Sequence, residues 1–449
     1  LTNTRNSILL SRHAILLLGI VWIRSLIPGS TTFVCILLIL YSVLGPAQSI
    51  ISISILFLML SYNPGLFNAP EHINILRWVV IFTASMRLYV FAIAKRSPIT
   101  THSVLFGCFV ITAFLTSVLY GYNVKVALLK LFSFAFVGLS ILLAFQVMTT
   151  LKPFLLAYLY TYFVVVIGSS LPLVSMDVGF YLNGNGFQGI LSHPQAYGIF
   201  TSVFLALLSG LWLSRNPSTP LPWHFRFALF TGYLTMVLSM ARTGVFALAI
   251  AFFGVLLFSM VAKQSWLIYF SRVIVRKSVF VIVILVSAIS IVYFYEISRH
   301  MEKFILKSKY IENEQSKSAL ASRSQLIELS WNNFKKYPWT GIGFGLPSVS
   351  YWLNPKSDNM FGIPIEASIE KGFLPTAVLE ENGIVGGVVF LLFTIALFRR
   401  VARQNEMPSM LLLATCYAVN LGEYVFFSMG YIGLLMFVLV GYSTMEKKP

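Results

Sequence analysis

Arg323-Ser-Gln-Leu-Ile-Glu-Leu-Ser-Trp331, followed closely by Tyr337-Pro-Trp-Thr-Gly-Ile-Gly-Phe-Gly345, lies inside Glu296–Asn382, the one long polar interval of an otherwise apolar chain. A structureless loop of that size is unusual in a compact protein. Apolar residues recur within it at helical spacing, so the interval reads as folded. Ala319–Lys336 is predicted to form an amphipathic helix, with Leu320, Ile327, Trp331 and Phe334 on one stripe facing the membrane domain or the lipid interface. Arg323 falls at the edge of that stripe, and Pro338 stops the helix soon after Tyr337. Gly341–Gly345 supplies a turn, and Asn354–Asn359 an exposed loop tip.

Outside this interval the chain reads as membrane scaffold. Of its 449 residues 57% are hydrophobic and only 10% charged, where soluble domains run near 25% charged. The net charge of +17 does not signal nucleic acid, because the basic residues sit in short clusters between apolar runs, as membrane topology requires. Cys35, Cys108 and Cys416 fall within apolar runs at no metal-ligand spacing and are expected to be buried thiols. Arg5 and Arg12 precede an apolar run with no convincing cleavage site, so a retained first span is expected.

A span needs roughly 20 apolar residues. Spans are predicted near 8–26, 31–45, 47–63, 76–95, 103–121, 126–148, 154–175, 196–214, 226–241, 243–262, 278–295, 383–398, 409–426 and 428–444. The expected fold is thus an all-α polytopic membrane protein of about 14 helices, within 12–14. Its organisation is 1–295 for spans one to eleven, 296–382 for a large, partly helical external loop, and 383–449 for the last three spans. With the N-terminus cytoplasmic, Lys95, Arg96, Lys152, Arg215, Arg226, Arg399, Arg400 and Arg403 all fall on the cytoplasmic side, as does the C-terminus. The large loop and Met176–Tyr197 then lie outside.

Several cations sit where that bias does not put them. Arg242 occupies the short outer turn Ser239-Met-Ala-Arg-Thr-Gly244; Arg77 begins the fourth span, Arg87 lies deeper in it, and Lys130 is one turn inside the sixth. Intramembrane charges are costly and by default functional; the alternative is pairing with a buried acid or snorkelling to headgroups. Together they suggest an electropositive pocket in the outer leaflet. In the loop Leu182–Gly198, Asn183, Asn185, Gln188 and Gln195 suit sugar hydroxyls, since amides both donate and accept. His193 beside them precedes a proline at a span entrance. Glu366, Glu370, Glu380 and Glu381 are external carboxylates available as a general base, with helix capping the alternative for the last two. No HExxH, CxxC, Walker or GxSxG sequence occurs, so no metal, nucleotide or other cofactor is implied.

Four stretches in order resemble the O-antigen ligase and O-antigen polymerase superfamily: Phe187–Gly198, Ser239–Gly244, Arg323–Trp331 with Pro338–Gly345, and Leu379-Glu-Glu-Asn-Gly-Ile-Val-Gly386. The resemblance implies a GT-C-like membrane glycosyltransferase in the bacterial cytoplasmic membrane. It would move glycan from a polyprenyl-pyrophosphate carrier to a sugar hydroxyl at the outer face, without metal or nucleotide sugar. By motif match Arg242 and Arg323 hold the pyrophosphate; the residues' own chemistry adds Arg77, Lys130, Gln188, His193 and Gln195 as expected substrate contacts, although many family members carry arginine where this chain has Gln188. Ligase-type members carry a histidine shortly before the last motif; Ile365–Pro375 has none. Glu366 or Glu370 therefore stands in as the expected base, and a polymerase of O-antigen or exopolysaccharide repeats is favoured over a ligase. A chain-length regulator or export complex is the expected partner, besides the lipid bilayer and the lipid-linked glycan. The competing class is a transporter of lipid-linked oligosaccharide or small solutes, against which stands the absence of an internal repeat.

Overall fold

The structure, a computed structural model, describes residues 29–66, 73–180, 186–215, 222–262, 321–350, 371–429 and 431–446, with a few residues between 16 and 27. The described residues are helical, with no strand and one isolated bridge, Tyr62 to Leu191. In chain order the helices are α1 (Ser30–Leu44), α2 (Pro46–Leu60), α3 (Ile73–Ala94), α4 (Thr101–Tyr120), α5 (Val124–Val147), α6 (Lys152–Ser170), α7 (Pro194–Leu213) and α8 (Trp223–Leu238). They continue as α9 (Arg242–Val261), α10 (Ala321–Lys336), α11 (Leu374–Arg403), α12 (Met407–Val419) and α13 (Ile432–Thr444).

Among the described residues seven helices are long and apolar enough to cross a membrane: α3, α4, α5, α7, α9, α11 and the stretch Thr149–Ser175 that contains α6. Helices α1, α2, α12 and α13 are apolar but shorter. Large side chains such as Leu119, Phe253 and Leu391 are more than half exposed, the surface expected of helices solvated by acyl chains. Of the seven long helices, α7 is the most enclosed, with 83% of its apolar window buried, against α8, α9 and α12. Around this centre α11 packs on α4, α4 on α5, and α13 on α2 and α5.

Lipid gives no hydrophobic drive to helix association, so close approach must come from small residues. Gly198 and Gly244 supply it. A Cβ on Gly198 would lie 2.1 Å from the Ala241 Cβ, and one on Gly244 would lie 2.4 Å from the Gly198 carbonyl. These two glycines bring the start of α9 against the start of α7.

The chain's two sets of loops separate to opposite ends. At one end Lys152 binds Glu406 at 2.7 Å and the Met445 carbonyl, while Arg400 binds Glu446 at 2.6 Å. There too Gly210 packs on Pro408, and Ser97 donates to the Leu143 carbonyl at 2.8 Å. These are the segments whose charges read as cytoplasmic. The other end gathers the C-termini of α4, α8 and α12 and the N-termini of α5, α7, α9 and α11.

The helices from α1 to α9 lie within a few residues of their expected spans, whereas α12 stops at Val419, short of the expected 426, and among the described residues seven helices are long enough to cross where about 14 were expected. Helix α11 starts at Leu374, well before 383, because Gly383 breaks it rather than beginning it. Cys108 is exposed on α4, whereas Cys35 and Cys416 are buried. Helix α10 takes the second of its two expected orientations, with the apolar stripe's Trp331 43% exposed while Ser330 is fully buried. Its polar line of Arg323, Ser330 and Asn333 faces the protein because charged and amide partners wait there. The expected span 278–295, the segment 296–320, Asn354–Asn359, Asn183 and Asn185 lie outside the described residues, as do Glu366 and Glu370.

Candidate functional site

The site is built on a broken helix. Gly383 adopts φ 64 and ψ −170, interrupting α11 and freeing backbone groups on either side. Within a membrane each such group costs several kcal/mol unless it is bonded again. The turn after α10 does this: Ile342 N–H donates to the Glu380 carbonyl at 2.8 Å and Gly343 N–H to the Glu381 carbonyl at 3.0 Å. In return Ile384 N–H donates to the Pro338 carbonyl at 2.8 Å. Two backbones in such contact leave no room for side chains. A Cβ on Gly341 would sit 2.4 Å from the Glu381 carbonyl carbon, and one on Gly383 would sit 2.3 Å from the Trp339 oxygen. Phe344 anchors the turn, its ring 5.2 Å from Phe134 and 5.1 Å from Phe427.

The break aims two carboxylates inward. Lys371 Nζ lies 3.0 Å from Glu380 and 2.9 Å from Glu381, and all three side chains are fully buried. Asn333 Nδ2 of α10 donates to Glu380 at 2.6 Å, Gly345 N–H to Glu381 at 2.8 Å, and the Tyr424 hydroxyl to Glu381. Burial works against the Lys371 charge, but the two carboxylates outweigh it and hold the ammonium above its ordinary value. Burial, reinforced by Glu381, likewise pushes the Tyr424 phenol well up, so it stays a donor. These contacts join α10, the glycine turn, α11 and the loop after α12. This cluster is the site's frame.

Beside the frame lies a cation pair. Met240 at φ 53 turns the chain sharply between α8 and α9, so that Arg242 is the first residue of α9. Arg323 reaches from α10 with Nη2 donating to Glu423 Oε1, which also accepts from Thr243 Oγ1 at 3.2 Å. Arg323 and Arg242 are close enough for their like charges to act on each other. Arg323 Nη1 is buried with no acceptor. Around the site Lys130, Arg242, Arg323 and Lys371 face Glu380, Glu381 and Glu423, one positive charge in excess. Such a surplus, with an arginine arm unfilled, suits an anion.

The structure brings together the two motif arginines, which lie far apart in sequence. Lys130 lies instead beside the Lys371–Glu381 cluster, where its ammonium donates to the Gly345 carbonyl at 3.0 Å and so holds the glycine turn. Arg77 is buried at the start of α3, its guanidinium 5.5 Å from the Trp78 ring centroid. Arg87 lies part-buried in the body of α3. His193 caps α7, its Nδ1 accepting from Gln195 N–H at 3.1 Å. Gln188 is fully buried in a loop tied to α2 through Asn63, whose Nδ2 donates to the Val178 and Gly189 carbonyls. Glu380 and Glu381 are neither exposed caps nor free bases; they are ion-paired to Lys371. Sequence reasoning missed Glu423, Thr243, Lys371 and Tyr424. Glu423 had a legible signal, since it falls inside the predicted span 409–426, where a carboxylate is a functional flag.

Below the site an apolar groove of about 610 Å³ runs between α9, α11 and α12, from Asn420 and Leu421 near Glu423 down to Phe398 and Met410. The described residues thus form a helical, multi-pass membrane protein with a cluster of cations and carboxylates at one end. Residues 227–391, from α8 into α11, match the family model described as O-Antigen ligase, so this part of the chain is similar to the O-antigen ligase/polymerase superfamily. Arg242, Arg323, Lys371, Glu380 and Glu381 all lie within the matched stretch. No curated protein matches the chain.

Proposed function

We propose that the chain is a GT-C-like membrane glycosyltransferase of about 14 spans that polymerises polyprenyl-pyrophosphate-linked oligosaccharide, as an O-antigen or exopolysaccharide polymerase. It acts at the outer face of the bacterial cytoplasmic membrane without a metal, with both termini cytoplasmic. The carrying observation is the convergence of Arg242 and Arg323, with Arg323 Nη1 buried and lacking an acceptor. Two guanidinia neutralise a pyrophosphate leaving group as its charge develops, and in a dry site such donors need no reorganisation. The apolar groove beneath them accepts the polyprenyl chain, since its walls are almost wholly hydrocarbon. The segregation of Lys152, Arg399, Arg400 and Arg403 from the site supports an outward-facing site by the positive-inside rule.

Purified protein supplied with polyprenyl-pyrophosphate oligosaccharide is expected to give a product ladder and release the lipid carrier. A single transfer to another acceptor identifies a ligase instead. Movement across a bilayer without elongation identifies a transporter. Arg242→Ala and Arg323→Ala are each expected to abolish elongation while inserting stably; normal-length polymer from both variants ends the pyrophosphate assignment.

A further inference from the structure

Glu423 is the carboxylate that neither the motifs nor the frame accounts for. It is 7% exposed, and it reaches the site from a loop, unlike Glu380 and Glu381, which the broken helix and Lys371 immobilise. Its Oε1 accepts from Arg323 on one side and Thr243 on the other. Arg323 spends only Nη2 on this contact and keeps Nη1 buried without an acceptor. A guanidinium binds phosphate best with two parallel donors. An arriving anion that takes both arms must therefore take Nη2 from Glu423.

We propose that Glu423 is the catalytic base of glycan transfer, held inactive by Arg323 until the donor's pyrophosphate claims that guanidinium. The proposal rests on reading the site as a polyprenyl-pyrophosphate glycosyltransferase. A carboxylate paired with a cation is a poor base, and the same carboxylate released in a site shielded from water is a better one. Donor binding thus creates the base it needs, and an empty site does not activate water. In the step itself the acceptor hydroxyl gives its proton to Glu423 while its oxygen forms the bond to the donor's anomeric carbon. The bond from that carbon to the pyrophosphate oxygen breaks, and its electron pair stays on the leaving group beside Arg242 and Arg323. The protonated Glu423 then returns its proton to solvent, and re-pairs with Arg323 as the lipid pyrophosphate leaves.

The test compares wild type, Glu423→Gln and Glu423→Asp by two readouts on the full chain in lipid nanodiscs: binding of the polyprenyl-pyrophosphate oligosaccharide, and its elongation. Glu423→Gln is expected to bind the donor at least as tightly as wild type, because the competing carboxylate is neutralised, and to elongate about 10²–10⁴-fold more slowly. Glu423→Asp should recover part of that loss. Elongation by Glu423→Gln at the wild-type rate overturns the proposal. So does donor binding that falls in step with elongation in both variants, which marks a structural role. Wild-type protein that binds no such donor overturns the glycosyltransferase reading itself, and the proposal with it.

Discussion

Lys371→Met removes the one cation between Glu380 and Glu381 while keeping much of the side-chain length. All three side chains are fully buried, at 2.9 and 3.0 Å separation. Taking one partner from a buried ion pair costs about 3–5 kcal/mol, because the remaining charge has neither water nor a counter-ion. Here two carboxylates are stranded side by side, so one of them is expected to take up a proton. Glu380→Gln added to Lys371→Met removes that carboxylate, and the pair should recover about 0.5–3 kcal/mol of coupling. The assay is thermal unfolding in one detergent, with the four members of the cycle compared. An apparent midpoint for Lys371→Met within error of wild type would refute the reasoning, as would strictly additive losses. Because the folded value of Lys371 is raised, its contribution is fully present below the unfolded lysine value of about 10.4 and is lost as pH rises through the folded one. The stability that this ion cluster adds through Lys371 should therefore be flat across neutral pH and fall only in strong alkali.

Gly383→Ala forces a side chain into a positive-φ backbone conformation reserved for glycine and against the Trp339 oxygen at 2.3 Å; the backbone term alone is about 1–3 kcal/mol. It should lower the unfolding midpoint and expose the glycine turn to limited proteolysis, and an intact turn at full stability would show that the break is not needed. Lys152→Met breaks the pair with Glu406 at the opposite end, where both side chains are nearly buried. It should destabilise the protein without changing the donor-binding constant of the folded fraction; a changed constant would mean that the two ends are coupled.

Much of the scaffold is legible in the sequence because hydrophobic run length and helix length are the same constraint in a bilayer. That is why α2 to α9 fall within a few residues of their predicted spans. Charge clusters were equally legible, since Lys152 and Arg400 do lie at one end together. Helix α10 shows where the reading stops. Its apolar stripe left two choices for Trp331, the membrane domain or the lipid interface, and Trp331 faces outward because Asn333 and Arg323 turn toward Glu380 and Glu423. Periodicity weighs one helix alone, while its orientation depends on partners many residues away.

The same limit governs the site. From sequence alone came a polytopic α-helical protein, Arg242 as a cation set against the topological bias, and a superfamily resemblance carried by four ordered motifs, which implied a pyrophosphate-holding role for Arg242 and Arg323. These rest on local properties: apolar length, charge against the topological bias, and short glycine-bearing patterns. Only the tertiary structure decided that Glu380 and Glu381 are locked on Lys371, that the glycine turn repairs the helix broken at Gly383, and that Glu423 holds Arg323. A carboxylate's role is set by what lies within a few ångströms of it, and those neighbours come from α9, α10, α11 and the loop after α12, which only folding brings together.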